Sequence, residues 1–167
     1  IGSGSHTIDL NGHMMSVEGD GSAFFKPTNN MHLTVTDGTK IGQIENILLD
    51  GSQRGSFTLE SGIVCNLEMT SGAVVTLKGG SVDNLDVQNC SENTNLSIQG
   101  SSLGKLNIKD WADGMHVSAT GGIVAVAGHS IARPIAFGNR VPPQRTVLRE
   151  TTVTPDFTIY ARRLLGK

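Results

Sequence analysis

A repeat of short apolar triplets limits more than any other feature how this chain can fold. Four stretches align without gaps: Ile44-Glu45-Asn46-Ile47-Leu48-Leu49, Val64-Cys65-Asn66-Leu67-Glu68-Met69, Val82-Asp83-Asn84-Leu85-Asp86-Val87 and Leu103-Gly104-Lys105-Leu106-Asn107-Ile108. Each reads apolar-x-x-apolar-x-apolar, and their starts lie 20, 18 and 21 residues apart. A second triplet recurs between them, at Phe57-Thr58-Leu59, Val75-Thr76-Leu77, Leu96-Ser97-Ile98 and Met115-His116-Val117, with spacings of 18, 21 and 19. Two ladders that share one period mark a stacked array. In an apolar-x-apolar triplet the outer side chains point to one face and the middle one to the other. Such triplets are too short to stand alone as a sheet. Stacked turn on turn, each pairs with its equivalents and the apolar residues fill a continuous interior.

The punctuation agrees with this reading. Asp50-Gly51, Ser61-Gly62, Ser71-Gly72, Gly79-Gly80, Gly100 and Gly121-Gly122 each follow a short apolar run, where a corner needs backbone freedom. Gly is frequent at 21 copies and aromatic residues make up only 4%, which favours narrow, turn-rich β architecture. An α-helical alternative fails, because the apolar alternation has period two and not 3.6. The expected fold is therefore all-β, a parallel β-solenoid of about twenty residues per turn, with a C-terminal β extension. Leu33-Thr34-Val35 is placed in a strand, although residues 13–43 repeat less cleanly.

Asn46, Asn66 and Asn84 occupy one position in successive turns, just before the second apolar residue. Asn tolerates left-handed backbone, and stacked amides can bond along the coil axis. In this the chain resembles the right-handed parallel β-helix proteins of the pectin-lyase-like superfamily, whose turns often carry such a ladder. Lys105 interrupts the row in the fourth turn. Thr7-Ile8-Asp9-Leu10-Asn11-Gly12 resembles the opening turn of coils found in bacteriophage tailspikes and polysaccharide-degrading enzymes. The resemblance covers roughly residues 7–128. It implies a homotrimer at an extracellular or virion surface, in contact with a glycan or cell-surface polysaccharide.

Charge divides the chain in two. Residues 1–132 hold 6 Lys and Arg against 13 Asp and Glu, a balance of −7, whereas residues 133–167 hold 7 against 2, a balance of +5. The shift falls at Arg133-Pro134, so residues 1–132 are read as the coil and 133–167 as a basic, strand-rich cap or oligomerisation segment. Ile123-Val124-Ala125-Val126 supplies the last turn of the coil. Beyond it, Thr146-Val147-Leu148-Arg149 with Thr151-Thr152-Val153, and Phe157-Thr158-Ile159-Tyr160, are strand candidates. They can cap the coil or pair with a neighbouring chain, and the second use is favoured because the segment is poor in core residues of its own. The arginines are scattered and lack interleaved aromatics, so no nucleic-acid partner is expected. No segment has the run of apolar residues that a membrane span needs. The polar opening Ile1-Gly2-Ser3-Gly4-Ser5-His6 reads as the interior of a longer protein.

Candidate sites follow from the ladders. The outward row Leu48, Glu68, Asp86, Asn107 stacks two carboxylates on adjacent strands about 4.8 Å apart, with Asp83 and Glu45 flanking. That separation approaches the roughly 5–5.5 Å of a retaining glycosidase pair, so Glu68, Asp86 and Asp83 are the catalytic candidates. The plain alternative is a solvated acidic face. The other outward row, Thr58, Thr76, Ser97 and His116, presents small polar groups suited to sugar hydroxyls and equally to strand solvation. Trp111, the only tryptophan, is either an exposed anchor in a loop or a lid over the coil. His6, His13, His32, His116 and His129 lack metal spacing, and Cys65 and Cys90 are read as free thiols, so neither metal nor cofactor is expected. No nucleophile elbow or phosphate-cradling motif occurs.

The first functional expectation is a binding or structural module of a secreted or virion-surface, tailspike-like protein, contacting glycan and self-associating. A second is a polysaccharide lyase or glycoside hydrolase using the stacked carboxylates. A third is a bacterial effector whose rigid coil binds a host protein.

Overall fold

A computed structural model describes residues 3–16, 25–28, 30–108 and 115–119, together with strands at 123–126, 136–137, 151–153 and 157–160. The chain runs through β1 (Gly4–Asp9), β2 (Met14–Met15), β3 (Met31–Thr36), β4 (Gln43–Asp50), β5 (Ser56–Leu59), β6 (Ile63–Thr70), β7 (Val74–Leu77) and β8 (Ser81–Gln88). It continues through β9 (Asn95–Ile98), β10 (Ser102–Ile108), β11 (His116–Ala119), β12 (Ile123–Val126), β13 (Ala136–Phe137), β14 (Thr151–Val153) and β15 (Phe157–Tyr160). Odd-numbered strands up to β11 stack in parallel as one sheet, and even-numbered strands up to β12 stack in parallel as the other. The chain is a parallel β-solenoid. Each circuit lays one strand in each sheet.

The apolar triplets decide which way each strand faces. Leu33 and Val35, Phe57 and Leu59, Val75 and Leu77, and Leu96 and Ile98 point inward from the odd sheet and are essentially fully buried. Ile47 and Leu49, Leu67 and Met69, and Leu85 and Val87 meet them from the even sheet in one continuous core. Each such side chain stabilises the folded chain by about 1.5–3 kcal/mol through burial. No α-helix occurs among the described residues, and no helix there is long and apolar enough to cross a membrane.

The two kinds of corner differ. From β5 onward the links from the odd to the even sheet are residues 60–62, 78–80 and 99–101, three residues each time, whereas the earlier ones, 10–13 and 37–42, are longer. From the even to the odd sheet they are 51–55, 71–73 and 89–94, so the variation in turn length, 18 residues from Val74's partner Ser56 and 21 from Val74 to Asn95, is absorbed there. The constant corner is held by close backbone stacking. Gly80 has φ +73°, and a Cβ on it would come 2.3 Å from the Gly62 carbonyl oxygen. The longer 89–94 corner is pinned by buried Thr94, whose Oγ1 accepts from the backbone N–H groups of Gly72 and Ser91, each at 2.9 Å.

The 37–42 link is built around Asp37, a carboxylate only 1% exposed. It accepts from the backbone N–H groups of Gly42 (2.6 Å), Gly12 (2.9 Å) and Thr39 (3.2 Å) and from the Thr39 hydroxyl (2.8 Å). Its own N–H donates to Ser61 Oγ at 2.7 Å, so one residue ties three consecutive corners together. Burial by itself would raise the Asp37 pKa, but the donors of Gly42, Thr39 and Gly12 together lower it to about 2 from the usual 3.8. Gly42 lies close against this site: a Cβ there would come 2.6 Å from Leu10 Cβ and 3.0 Å from Asp37 Cγ.

At the C-terminal end, β14 pairs antiparallel with β12, and β15 pairs antiparallel with β11 and with β13. These strands, favoured on the sequence for a neighbouring chain, continue the two sheets of their own coil. The pairing covers edges that would otherwise present unpaired backbone groups. Residues 146–149, expected to join the first of them, lie outside the described residues.

Candidate functional site

The odd sheet turns a row of hydroxyls outward. Strand pairing places Thr7, Thr34, Thr58, Thr76, Ser97 and Ser118 in strict succession. Neighbours in the row stand about 4.8 Å apart, the inter-strand spacing. Thr58, Thr76 and Ser97 therefore belong together as expected. Thr7 and Thr34 extend the row, and they were hard to see because the steps there are 27 and 24 residues. The signal was nevertheless present, since Thr34 is the middle residue of Leu33-Thr34-Val35.

His116 requires a correction. It pairs with Asn95, two residues before Ser97, and Ser118 takes the place in the hydroxyl row that the repeat assigned to His116. Both Met115-His116-Val117 and Val117-Ser118-Ala119 alternate with the same parity, so a slip of two residues leaves the same faces in and out. The deciding contact is in the corner. His116 N–H donates to the Thr94 carbonyl at 3.0 Å, as Asn95 N–H does to Ala73, which places buried Met115 over Thr94 and Ala73.

Beside the hydroxyls runs a second outward row: Ser5, His32, Ser56, Val74, Asn95 and His116. His32 bridges the two rows, with Nδ1 2.7 Å from Ser56 Oγ and Nε2 3.4 Å from Thr58 Oγ1. Thr58 is accordingly 6% exposed, while Thr34, Thr76, Ser97 and Ser118 are half-buried. Further along, Val74 is 42% exposed and Gln99 Nε2 donates to Ser97 Oγ at 3.2 Å. At the margin of this face Lys78 and Glu60 form an exposed ion pair at 2.8 Å, worth at most about 1 kcal/mol.

The even sheet presents a different chemistry. Glu68 and Asp86 are direct neighbours in adjacent strands, as the repeat predicted, with Leu48 before them and Asn107 after. Each carboxylate is engaged by a carboxamide from the next strand: Gln88 Nε2 donates to Glu68 Oε1, and Asn107 Nδ2 donates to Asp86 Oδ1 at 2.8 Å. Asp83 lies on the other side of the Asn row. There it belongs with Glu45 and Cys65, whose thiol is pushed up by burial and then by the charges of Asp83 and Glu45. The alternation of inward and outward residues breaks at this row, where Cys65 and Asn66, and likewise Asp83 and Asn84, are consecutive positions outside the core. The Asn side chains bond along the row: Asn66 Nδ2 donates to Asn46 Oδ1 at 2.9 Å and Asn84 Nδ2 to Asn66 Oδ1 at 3.1 Å.

No disulfide joins Cys65 and Cys90. Among the described residues no three His, Cys, Asp or Glu side chains gather as a metal site. Trp111, His129 and the arginines of the tail lie outside the described residues. The two faces can thus do different things: one offers neutral hydroxyls in register, the other carboxylates already hydrogen-bonded to amides. No protein-family model matches the sequence, and no curated protein and no solved structure matches it.

Proposed function

We propose that the coil is a glycan-binding module of a tailspike-like protein at an extracellular or virion surface, and that the hydroxyl face of the odd sheet is its contact surface. The observation that supports this reading is the succession of six hydroxyls in register from Thr7 to Ser118, of which Thr58 alone is buried, against His32. A polymer with repeating hydroxyls is recognised by many modest polar contacts, each worth about 0.5–1.5 kcal/mol, and a periodic row supplies them without a deep pocket. The test erases the row. A Thr34→Val/Thr76→Val/Ser97→Ala variant keeps outward strand positions filled by tolerated residues. Applied to a glycan array beside the unmodified chain, it should lose saccharide binding at least tenfold, about 1.4 kcal/mol or more. Equal binding by both proteins would sink the proposal. In the same reading the protein is a homotrimer, and light scattering coupled to size exclusion should return three times the chain mass.

A second reading has its own observation, the adjacency of Glu68 and Asp86. In a polysaccharide lyase or hydrolase these two would act on the glycosidic bond, with Asp83 of the same strand as Asp86 a third candidate. Release of reducing ends from polysaccharide that is lost in both Glu68→Gln and Asp86→Asn would establish it. Equal release by the variants would remove it.

A further inference from the structure

Two patches of four residues on the hydroxyl face, equivalent in geometry, differ in a way that locates a ligand. The first is His32 and Thr34 beside Ser56 and Thr58; the second is Val74 and Thr76 beside Asn95 and Ser97. Each patch measures about 6.6 Å along the strand and 4.8 Å across it, close to the footprint of one sugar ring. In the first patch the imidazole of His32 lies between Ser56 Oγ at 2.7 Å and Thr58 Oγ1 at 3.4 Å, and Thr58 is 6% exposed. The Ser56 and Thr58 hydroxyls are thus engaged within the protein by the imidazole.

The second patch is open. Val74 replaces an imidazole-contacting serine and stands 42% exposed on a face that is otherwise polar. Thr76, Asn95 and Ser97 surround it and are half-buried. Ser97 Oγ already accepts from Gln99 Nε2, so its hydroxyl proton is directed to another acceptor. No charged side chain lies within the patch. Lys78, two residues beyond Thr76, is paired with Glu60 at 2.8 Å. An exposed isopropyl group ringed by hydroxyl and amide groups matches a pyranose ring, which has a C–H face and a rim of hydroxyls.

Resting on the glycan-binding reading above, we infer that the ligand subsite is the Val74–Thr76–Asn95–Ser97 patch and that its ligand class is a neutral hexose polymer. His32 closes the N-terminal part of the row to that polymer. The subsite is a direct consequence of what stands at one outward position in successive strands: histidine, serine, valine, asparagine.

The experiment is calorimetric titration of the full chain with neutral hexose oligosaccharides of graded length, with an oligouronate as competitor. Val74→Asp and Ser97→Ala should each weaken binding by about tenfold or more, whereas Thr34→Val should change it by less than about twofold. Val74→Ser serves as a second, milder probe of the apolar contact, and circular dichroism checks that each variant keeps the coil. The oligouronate should not compete. If Thr34→Val weakens binding as much as Ser97→Ala, the subsite assignment fails while the hydroxyl face remains the binding surface. Competition by the oligouronate at equal concentration overturns the neutral class. If no saccharide binds, or none of the variants alters binding, the subsite and the face fall together.

Discussion

Asp37 shows how much one side chain can organise in a coil of short strands. Its charge is held by hydrogen-bond donors from its own link and from Gly12 in the preceding turn. A carboxylate whose pKa is lower folded than unfolded contributes stability above its unfolded value and loses it as pH falls through the folded one. With values of 3.8 and about 2, that contribution is complete above about pH 4 and disappears between about pH 4 and pH 2. Thermal melts should therefore show a fall in midpoint across that window, and Asp37→Asn should be less stable at neutral pH and flatter across it. A parallel fall in both proteins would mean that other carboxylates govern acid unfolding. None of this was legible beforehand, because an Asp followed by Gly and Thr reads as an ordinary turn. Its partners Gly12 and Ser61 are 25 and 24 residues away.

At the scale of the element, the Asn row and the constant corner set the register. Asn66 both donates to Asn46 and accepts from Asn84, so Asn66→Ala removes both of its ladder hydrogen bonds and should cost about 1–3 kcal/mol in chemical denaturation. Lys105 stands where the next amide would, opposite Asn84. Lys105→Asn should extend the ladder by one rung and stabilise the chain by about 0.5–1.5 kcal/mol; a destabilised variant would show that a fourth amide adds nothing to the ladder. Gly80→Ala should be worse than either. It forces a left-handed conformation at about 1–2 kcal/mol and drives a methyl group to within 2.3 Å of a carbonyl oxygen. The ladder itself could be read in the sequence, since Asn recurs at a fixed offset from an apolar pair.

For the whole molecule, each turn touches only its neighbours, so stability is a sum along the axis. A core deletion in a middle strand should then propagate further than one at an end. Leu67→Ala, in the centre of the even sheet, should cost about 2–5 kcal/mol and lower hydrogen-exchange protection across the coil. Leu10→Ala, beside the first corner, should depress protection chiefly in β1 and β3. Uniform loss of protection in both variants would indicate that the coil unfolds as one cooperative unit. The C-terminal strands matter at this scale too, because their antiparallel pairing continues both sheets.

Apolar alternation and its recurrence were enough to specify the coil, its period and the inward and outward faces, because alternation of period two is a local property that burial enforces wherever strands stack. The shared phase of their triplets likewise made Glu68 and Asp86 neighbours. What remained depended on contacts between turns. Met115-His116-Val117 and Val117-Ser118-Ala119 have the same parity, so the corner hydrogen bond to Thr94, and not the alternation, chose between them. The position of His32 over Thr58, which separates a closed patch from an open one, depends on side chains about two dozen residues apart meeting across strands. Periodicity fixes which residues share a face. Which of them are covered is set by the contacts that stacking brings together.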